Sequence, residues 1–190
     1  ADAPGISRTR TFMVDSRNAA RIRFDGVKLN GENVLGEADN GFALLDRVLD
    51  RARIGLSAEM LGSAQGAFDM TLAYLKERTQ FGAPIGRFQA LQHRAAVMFA
   101  ELELLRSVIL EASSAVDENA NTVPLLASLA KARASDTFHL TAREAIQMHG
   151  GIGMTDEHDI GFYLKRCAAA EAAFGGPAFH RNRYAALEGF

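Results

Sequence analysis

The chain has 190 residues, enough to bury a hydrophobic core without disulfide bonds. Its 21 Lys and Arg residues nearly balance 23 Asp and Glu residues, and a net charge of -2 supplies no general attraction for nucleic acid or anionic lipid. We therefore expect a cytoplasmic globular protein with no nucleic-acid or membrane partner, in which any bound anion is held by local groups. The single cysteine, Cys167, excludes an internal disulfide and favours a reducing compartment.

The first part of the chain has β character. Short β-prone runs occur at 11–14, 20–24 and 27–29, separated by Asp, Ser, Asn and Gly. Two or three such strands are marginally stable alone and normally belong to a larger sheet. The chain also begins without Met, so we expect either a trimmed N-terminus or a piece of a longer protein.

From Gly41 onward the hydrophobic pattern has a helical period. It predicts four long helices and a short fifth, at about 41–78, 88–116, 122–149, 161–174 and 178–187. The second helix carries the clearest apolar seam, with spacings of 4 and 3: Leu91, Ala95, Met98, Leu102, Leu105, Ile109 and Ala112. We therefore predict a mostly α fold, an antiparallel four-helix bundle preceded by a few short β-strands from an incomplete domain. Glycines inside the first helix (Gly55, Gly62, Gly66) indicate close packing of a neighbouring helix.

The segment "ERTQFG", residues 77–82, follows the first helix and allows two interpretations. It is an ordinary helix end if Gly82 adopts the left-handed cap conformation and Phe81 enters the core. It is an anion site if Arg78 offers its planar guanidinium to a phosphate while Gln80 and nearby amides act as neutral donors.

A second candidate is "QMHGGIGMTDEH", residues 147–158. Its three glycines let a backbone come within contact distance of a bulky ligand, although the same pattern also ends ordinary helices. The spacing of His149, His158 and Asp159 fits no common metal-ligand pattern, so we expect no metal site.

Together, "ERTQFGAPIGRFQALQ" and "QMHGGIGMTDEHDIGFYLKR" resemble the two signature stretches of the acyl-CoA dehydrogenase family, in the right order and at the right separation. Residues 24–69, "FDGVKLNGENVLGEADNGFALLDRVLDRARIGLSAEMLGSAQGAFD", resemble that family's passage from its middle β-domain into its C-terminal helical bundle. The resemblance implies that residues 1–38 are a remnant of the middle β-domain and residues 39–190 the C-terminal bundle. It covers only the last third to half of a full-length member.

The resemblance implies FAD-dependent α,β-dehydrogenation of an acyl-CoA thioester, with electrons passed on to an electron-transfer acceptor. The implied assembly is a homo-oligomer or a heteromer with a sister subunit, in which the adenosine diphosphate half of FAD lies between subunits. The implied cofactor-binding residues are Arg78, Gln80, Phe81, Gln147, Gly150, Gly151 and Gly153.

The chain departs from the family pattern at the catalytic base. Most members carry a glutamate just before a glycine after the fourth helix, and that position is Gly175 here. A second family position, immediately before an arginine, is Ala52, ahead of Arg53. Neither side chain can accept a proton, so the base is unknown. Arg53 and Gly175 remain the implied substrate-binding positions, since the family uses the backbone N–H at the latter to polarise the thioester carbonyl.

Three explanations of the missing base stay open: another residue such as Glu171 supplies it, a partner subunit supplies it, or the chain does not dehydrogenate. The alternative functions are a non-catalytic bundle subunit that completes the FAD site of a heteromeric partner, and a flavin oxidase or monooxygenase on the same fold. We also expect the chain alone to bind FAD poorly, because the flavin ring's usual contacts lie in the missing β-domain.

Overall fold

Five α-helices make up most of the chain from Gly41 onward. The computed structural model describes residues 3–190, and its helices are α1 (Gly41–Glu77), α2 (Gln89–Asp117), α3 (Val123–His149), α4 (Ile160–Ala172) and α5 (Pro177–Glu188). The predicted mostly α architecture with a few short strands is confirmed. α3 is the central helix, because it packs against each of the other four.

The main core lies between α1, α2 and α3, and the predicted seam of α2 faces into it. Met98, Leu102 and Leu105 are fully buried there, in one cluster with Phe68 of α1 and Phe138 of α3. Leu91 and Ala95, nearer the start of α2, are partly buried against the same cluster. Truncating one such buried leucine to alanine typically costs about 2–5 kcal/mol, so this seam fixes the position of α2.

The N-terminal region contains one β-hairpin. Strand β1 (Ile6–Phe12) pairs antiparallel with β2 (Asn18–Phe24), with Ile6 opposite Phe24. The predicted third strand at 27–29 is wrong, because these residues have no regular structure and precede a 3-10 turn at Gly31–Asn33. Apolar side chains such as Phe12 and Phe24 stay largely exposed on the hairpin, as expected when a sheet is incomplete.

The hairpin is attached to the bundle by a charged network at its loop. The Asp15 carboxylate accepts a hydrogen bond from Arg166 of α4 at 2.8 Å, and Arg166 also pairs with Glu59 of α1 at 2.7 Å. Arg17, on the same loop, donates to Glu59 at 3.0 Å. Burial by itself would raise the pKa of Asp15, but the hydrogen bonds from Arg166 and the Arg17 backbone, with the charge of Arg166, outweigh it and lower that pKa. The loop is therefore held by an ionised carboxylate.

The α1 glycines have different surroundings. A Cβ atom on Gly66 would lie 3.0 Å from the Tyr163 hydroxyl of α4, so this glycine permits close helix packing. At Gly55 and Gly62 nothing lies within 4 Å of the position that a Cβ atom would occupy. The close-packing prediction is therefore confirmed at Gly66 and wrong, within the described residues, at the other two.

Across residues 3–190, no helix combines the length and the hydropathy that crossing a membrane requires.

Candidate nucleotide cleft and the Gly175 turn

The segment after α1 forms a very small hairpin instead of a plain helix end. Strands β3 (Thr79–Gln80) and β4 (Ala83–Pro84) pair antiparallel, and Phe81 and Gly82 form the turn between them. Both turn residues have positive φ angles, 54° and 77°, as a type I′ hairpin turn requires. A positive φ is unusual for a bulky residue, and the Phe81 side chain is 93% exposed. The expectation that Gly82 caps the helix while Phe81 enters the core is therefore wrong.

An open cleft of about 590 Å³ lies where the C-terminal ends of α1 and α3 approach the start of α2. Five of the seven residues expected to bind a cofactor line it: Arg78, Gln80, Gln147, Gly150 and Gly151. The two sequence segments singled out above, which lie far apart in the chain, thus meet at one cleft.

Arg78 gives the cleft an available positive charge. Its guanidinium is exposed, and no carboxylate among residues 3–190 forms an ion pair with it. Arg94 also lines the cleft but forms a salt bridge with Glu144 of α3, so its charge is already matched. An anion entering the cleft would therefore meet Arg78 as its main partner.

Gly150 shapes the cleft through its backbone. Its φ of 65° and ψ of -141° lie in a region that essentially only glycine adopts. Nothing lies within 4 Å of the position that a Cβ atom would occupy there, so the backbone is open to a ligand. At Gly153 a Cβ atom would lie 2.7 Å from the Ile146 carbonyl oxygen, so that glycine permits packing against α3. Gly153 and Phe81 are the two expected cofactor residues that do not line the cleft.

An aromatic cluster, Tyr74 with His149 and His158, forms one wall of the cleft. The rings of Tyr74 and His149 stack at 4.5 Å between centroids, and the His149 and His158 rings are equally close. His149 Nδ1 lies 2.7 Å from the Ala145 carbonyl oxygen, so this nitrogen carries the proton and donates. Burial lowers the pKa of His149, which favours the neutral ring. The sequence analysis missed Tyr74, although it lies in the last turn of α1, four residues before Arg78.

A second polar region surrounds the turn between α4 and α5, at Phe174 and Gly175. Arg53 of α1 pairs with Asp50 at 2.7 Å and with Asp46 at 3.1 Å. Burial alone would raise the pKa of Asp46, but hydrogen bonds from Arg53 and Arg183 lower it. Arg53 is therefore buried and already paired within the chain, and Asp46 stays ionised.

The turn itself is held by two buried side chains that sequence reasoning missed. Lys131 of α3 is fully buried, and its Nζ donates to the carbonyl oxygens of Gly175 at 3.0 Å and Glu171 at 3.1 Å. Burial lowers the pKa of Lys131 to about 8. His180 of α5 places Nε2 at 3.0 Å from the Phe174 carbonyl oxygen, and burial lowers the pKa of His180 to about 4. A charged residue within the small-residue run "LASLAKARAS" was the available sequence signal for Lys131.

The structure brings no carboxylate to the positions where the resemblance places a base. Glu171, the candidate replacement, directs its carboxylate to His139 of α3, with Oε2 3.5 Å from Nδ1. The ligand atoms of His139, Cys167 and Glu171 lie within 4.8 Å of one another, a grouping the sequence reasoning also missed. Lys131 lies close enough to Cys167 and Glu171 to interact with their charges, and its own positive charge opposes a cation there.

The cleft and the Gly175 turn lie at different ends of the bundle. Lys131 contacts the turn and Gln147 lines the cleft, and these residues are 16 positions apart on α3. At 1.5 Å per residue they are separated by about 24 Å along the helix.

The fold is a helical module with a cleft at one end that is lined by Arg78 and a pair of glycines. Residues 39–187 match the family model described as acyl-CoA dehydrogenase, C-terminal domain. The chain therefore belongs to the acyl-CoA dehydrogenase family, whose members are FAD-binding oxidoreductases.

Similar proteins agree with this assignment. The probable acyl-CoA dehydrogenase YngJ of Bacillus subtilis (strain 168) is 36% identical over 183 residues, which are 95% of this chain and 48% of that protein. The solved structure of butyryl-CoA dehydrogenase from Megasphaera elsdenii has a TM-score of 0.94 at 27% identity, covering 98% of this chain and 49% of that one. The solved structure of the ChsE4-ChsE5 complex from Mycobacterium tuberculosis has a TM-score of 0.90 at 25% identity. The match covers 100% of this chain and 51% of the matched chain. This chain thus spans about half the length of the relatives it matches.

Proposed function

We propose that this chain is the C-terminal helical part of an FAD-dependent acyl-CoA dehydrogenase, or of a subunit of one, and that its cleft holds the adenosine diphosphate half of FAD. The supporting observation is the convergence of Arg78, Gln80, Gln147 and the Gly150–Gly151 pair on one cleft. The substrate is an acyl-CoA thioester, and a separate electron-transfer acceptor reoxidises the flavin.

The residues of the cleft fit a diphosphate and its flanking groups. Arg78 provides a planar fork for phosphate oxygens, and the side-chain amides of Gln80 and Gln147 provide neutral donors. Gly150 lets the ligand approach the backbone, since a Cβ atom there would meet open space. When bound, FAD supplies the hydride acceptor that no side chain of this chain offers.

At the other end of the bundle, the Gly175 peptide is the proposed contact for the thioester carbonyl. Its N–H belongs to the peptide whose carbonyl oxygen is that of Phe174, held by His180 Nε2 at 3.0 Å. Lys131 holds the carbonyl oxygen of Gly175 itself at 3.0 Å. Arg53 supports the same turn, with Nε 3.5 Å from the Phe174 carbonyl oxygen. These residues can orient and polarise a substrate, but they cannot remove its α-proton. Since neither Ala52 nor Gly175 carries a carboxylate, the proposed base is a carboxylate of a partner subunit.

The separation of the two regions supports sharing of the cofactor between subunits. A flavin whose diphosphate lay in the cleft would have to extend about 24 Å along α3 to act at the Gly175 turn of the same chain. We therefore propose that the cleft serves the active site of a neighbouring subunit, in a homo-oligomer or a heteromer. The match to a two-protein complex, ChsE4-ChsE5, supports the heteromer.

A second candidate function is a non-catalytic subunit that only completes the FAD site of its partner. The observation that favours it is the lack of a carboxylate at both family positions, Ala52 and Gly175, combined with the pairing of Glu171 with His139.

The test uses the full-length protein with any sister subunit that copurifies. Arg78→Met should weaken flavin retention about tenfold or more, since a charge-assisted hydrogen bond is worth about 1.5–3 kcal/mol. Arg87→Met is the matched control, because Arg87 is an exposed arginine nearby that does not line the cleft. Bleaching of the flavin by an acyl-CoA establishes dehydrogenation, and bleaching only when the sister subunit is present shows that the active site needs both subunits. Full flavin retention in Arg78→Met would reject the proposed cleft.

A further inference from the structure

The turn between α4 and α5 leaves no room for a side chain at residue 175. Phe174 and Gly175 have consecutive positive φ angles, 57° and 104°, and the second is strained for any residue with a Cβ atom. A Cβ atom on Gly175 would lie 2.5 Å from Cδ1 and 3.0 Å from Cε1 of Phe179, and 3.0 Å from His180 Nε2. Real Cβ atoms essentially never come within 3.0 Å of such neighbours.

Phe179 is placed in this volume by interactions on two sides. The Arg53 guanidinium lies 5.9 Å from the centre of its ring, within cation–π range. The His180 ring meets it edge to face, with centroids 5.0 Å apart. Because α5 begins at Pro177, Phe179 lies in the first turn of the helix, where its backbone is fixed. Its ring is 49% exposed, so these two contacts are what hold the ring over residue 175.

The backbone of the turn is equally fixed from the inner side. Lys131 and His180 hold the carbonyl oxygens of Gly175 and Phe174 at 3.0 Å each. Both donors are fully buried. The turn therefore cannot rotate to direct a side chain elsewhere without leaving a buried donor unpaired.

We infer that Phe179 and Gly175 are a matched pair in which the aromatic ring occupies the space of the side chain that residue 175 lacks. The inference rests on the proposed function, in which residue 175 stands at the family's base position. In this pair the Phe179 ring fills the space that a side chain at the family's base position would need.

A double-mutant cycle on thermal stability tests this pairing. Gly175→Ala should lower the Tm by about 5 °C or more in the wild-type background, from the steric clash together with the strained φ. In the Phe179→Ala background the same substitution should cost clearly less, because the clash with the ring is gone while the φ strain and the 3.0 Å contact with His180 Nε2 remain. Gly62→Ala is the control and should not lower the Tm, since Gly62 is an exposed residue inside α1 with open space at the Cβ position.

Equal losses of Tm from Gly175→Ala in the two backgrounds would overturn the inference. The Phe179 ring would then not occupy the volume that a Cβ atom at residue 175 needs. If Gly175→Ala alone yields no folded protein, recovery of folded protein in the double variant supports the pairing, and failure to recover it rejects the pairing. These measurements do not involve flavin. A negative result here therefore leaves the Arg78 test of the proposed function intact.

Discussion

Single residues in this chain have roles that depend on what surrounds them more than on their type. Arg78 and Arg53 are both arginines of the α1 region, yet one is exposed at a cleft and the other is buried against Asp46 and Asp50. Lys131 is a fully buried cation whose hydrogen-bond acceptors are two backbone carbonyls and a serine hydroxyl. Its ammonium is therefore stabilised by the dipoles of these acceptors and by the charge of Glu171. We expect it to lose its proton at a lower pH than an exposed lysine does.

The pH dependence of stability provides a test of Lys131. Its pKa is about 8 in the folded chain and 10.5 ordinarily, so between these values the unfolded chain binds a proton that the folded chain does not. The contribution of Lys131 to the free energy of unfolding must therefore rise with pH in this window, by on the order of 1 kcal/mol per pH unit. Burial raises the pKa of Cys167 from 9.0 to about 12, which acts in the opposite direction above pH 9 but is common to the wild type and the variant. Urea denaturation from pH 7.5 to 10 should show this gain for the wild type relative to Lys131→Met.

The wild type and Lys131→Met are compared by how steeply the free energy of unfolding changes with pH. A loss of stability in Lys131→Met that is the same at every pH does not affect this comparison. Lys76→Met removes an exposed lysine of α1 and is the matched control. Its stability should run parallel to that of the wild type. A difference between wild type and Lys131→Met that stays constant from pH 7.5 to 10 would contradict a buried, titrating ammonium.

At the scale of elements, the long helices were predictable and the short pieces were not. The seam from Leu91 to Ala112 repeats often enough to define α2, because a helix needs many turns to bury a stripe. The strands β3 and β4 have two residues each and carry no periodic signal. The same residues that suggest a helix cap, Phe81 and Gly82, form a hairpin turn instead. The false strand at 27–29 has β-prone residues but no partner strand among those described.

The attachment of the β1–β2 hairpin to the bundle is testable through Asp15. Asp15→Asn removes the charge that pairs with Arg166, so amide hydrogen exchange across β1 and β2 should speed up by about tenfold. Exchange in α1 to α3 should change little, because the core there does not involve the hairpin. Asp25→Asn is the control, since its pair with Arg23 is 77% exposed on both sides.

The same contact should weaken in acid. The pKa of Asp15 lies below its ordinary value of 3.8, so its contribution is fully present above that pH and is lost as the pH falls through the lower folded value. Wild-type hairpin exchange, corrected for the intrinsic pH effect, should therefore approach that of Asp15→Asn as the pH falls below 3.8. Unchanged exchange in Asp15→Asn at neutral pH would mean that the hairpin is held by other contacts.

For the whole molecule, the sequence predicted which segments contribute to the candidate site, but not the long-range contacts between them. Arg78 and Gln147 could be predicted as cofactor-binding residues because each belongs to a recognisable local motif. The structure brings both to one cleft. The contacts of Lys131 with Gly175 and of Asp15 with Arg166 join residues 44 and 151 positions apart. No local pattern encodes such contacts, because they depend on how the helices pack.

The separation of the two ends of the bundle leads to a prediction about the isolated 190-residue chain. If the cleft holds only the adenosine diphosphate half of FAD, the flavin half should find no contacts in this chain, and ADP and FAD should bind with dissociation constants within about threefold of each other. Isothermal titration calorimetry of both ligands measures this ratio directly. Arg78→Met should weaken both by about tenfold, because the lost contact is with the shared diphosphate, whereas Arg87→Met should weaken neither. FAD binding a hundredfold tighter than ADP would show that this chain holds the flavin ring as well, and the sharing of one cofactor between two subunits would have to be abandoned.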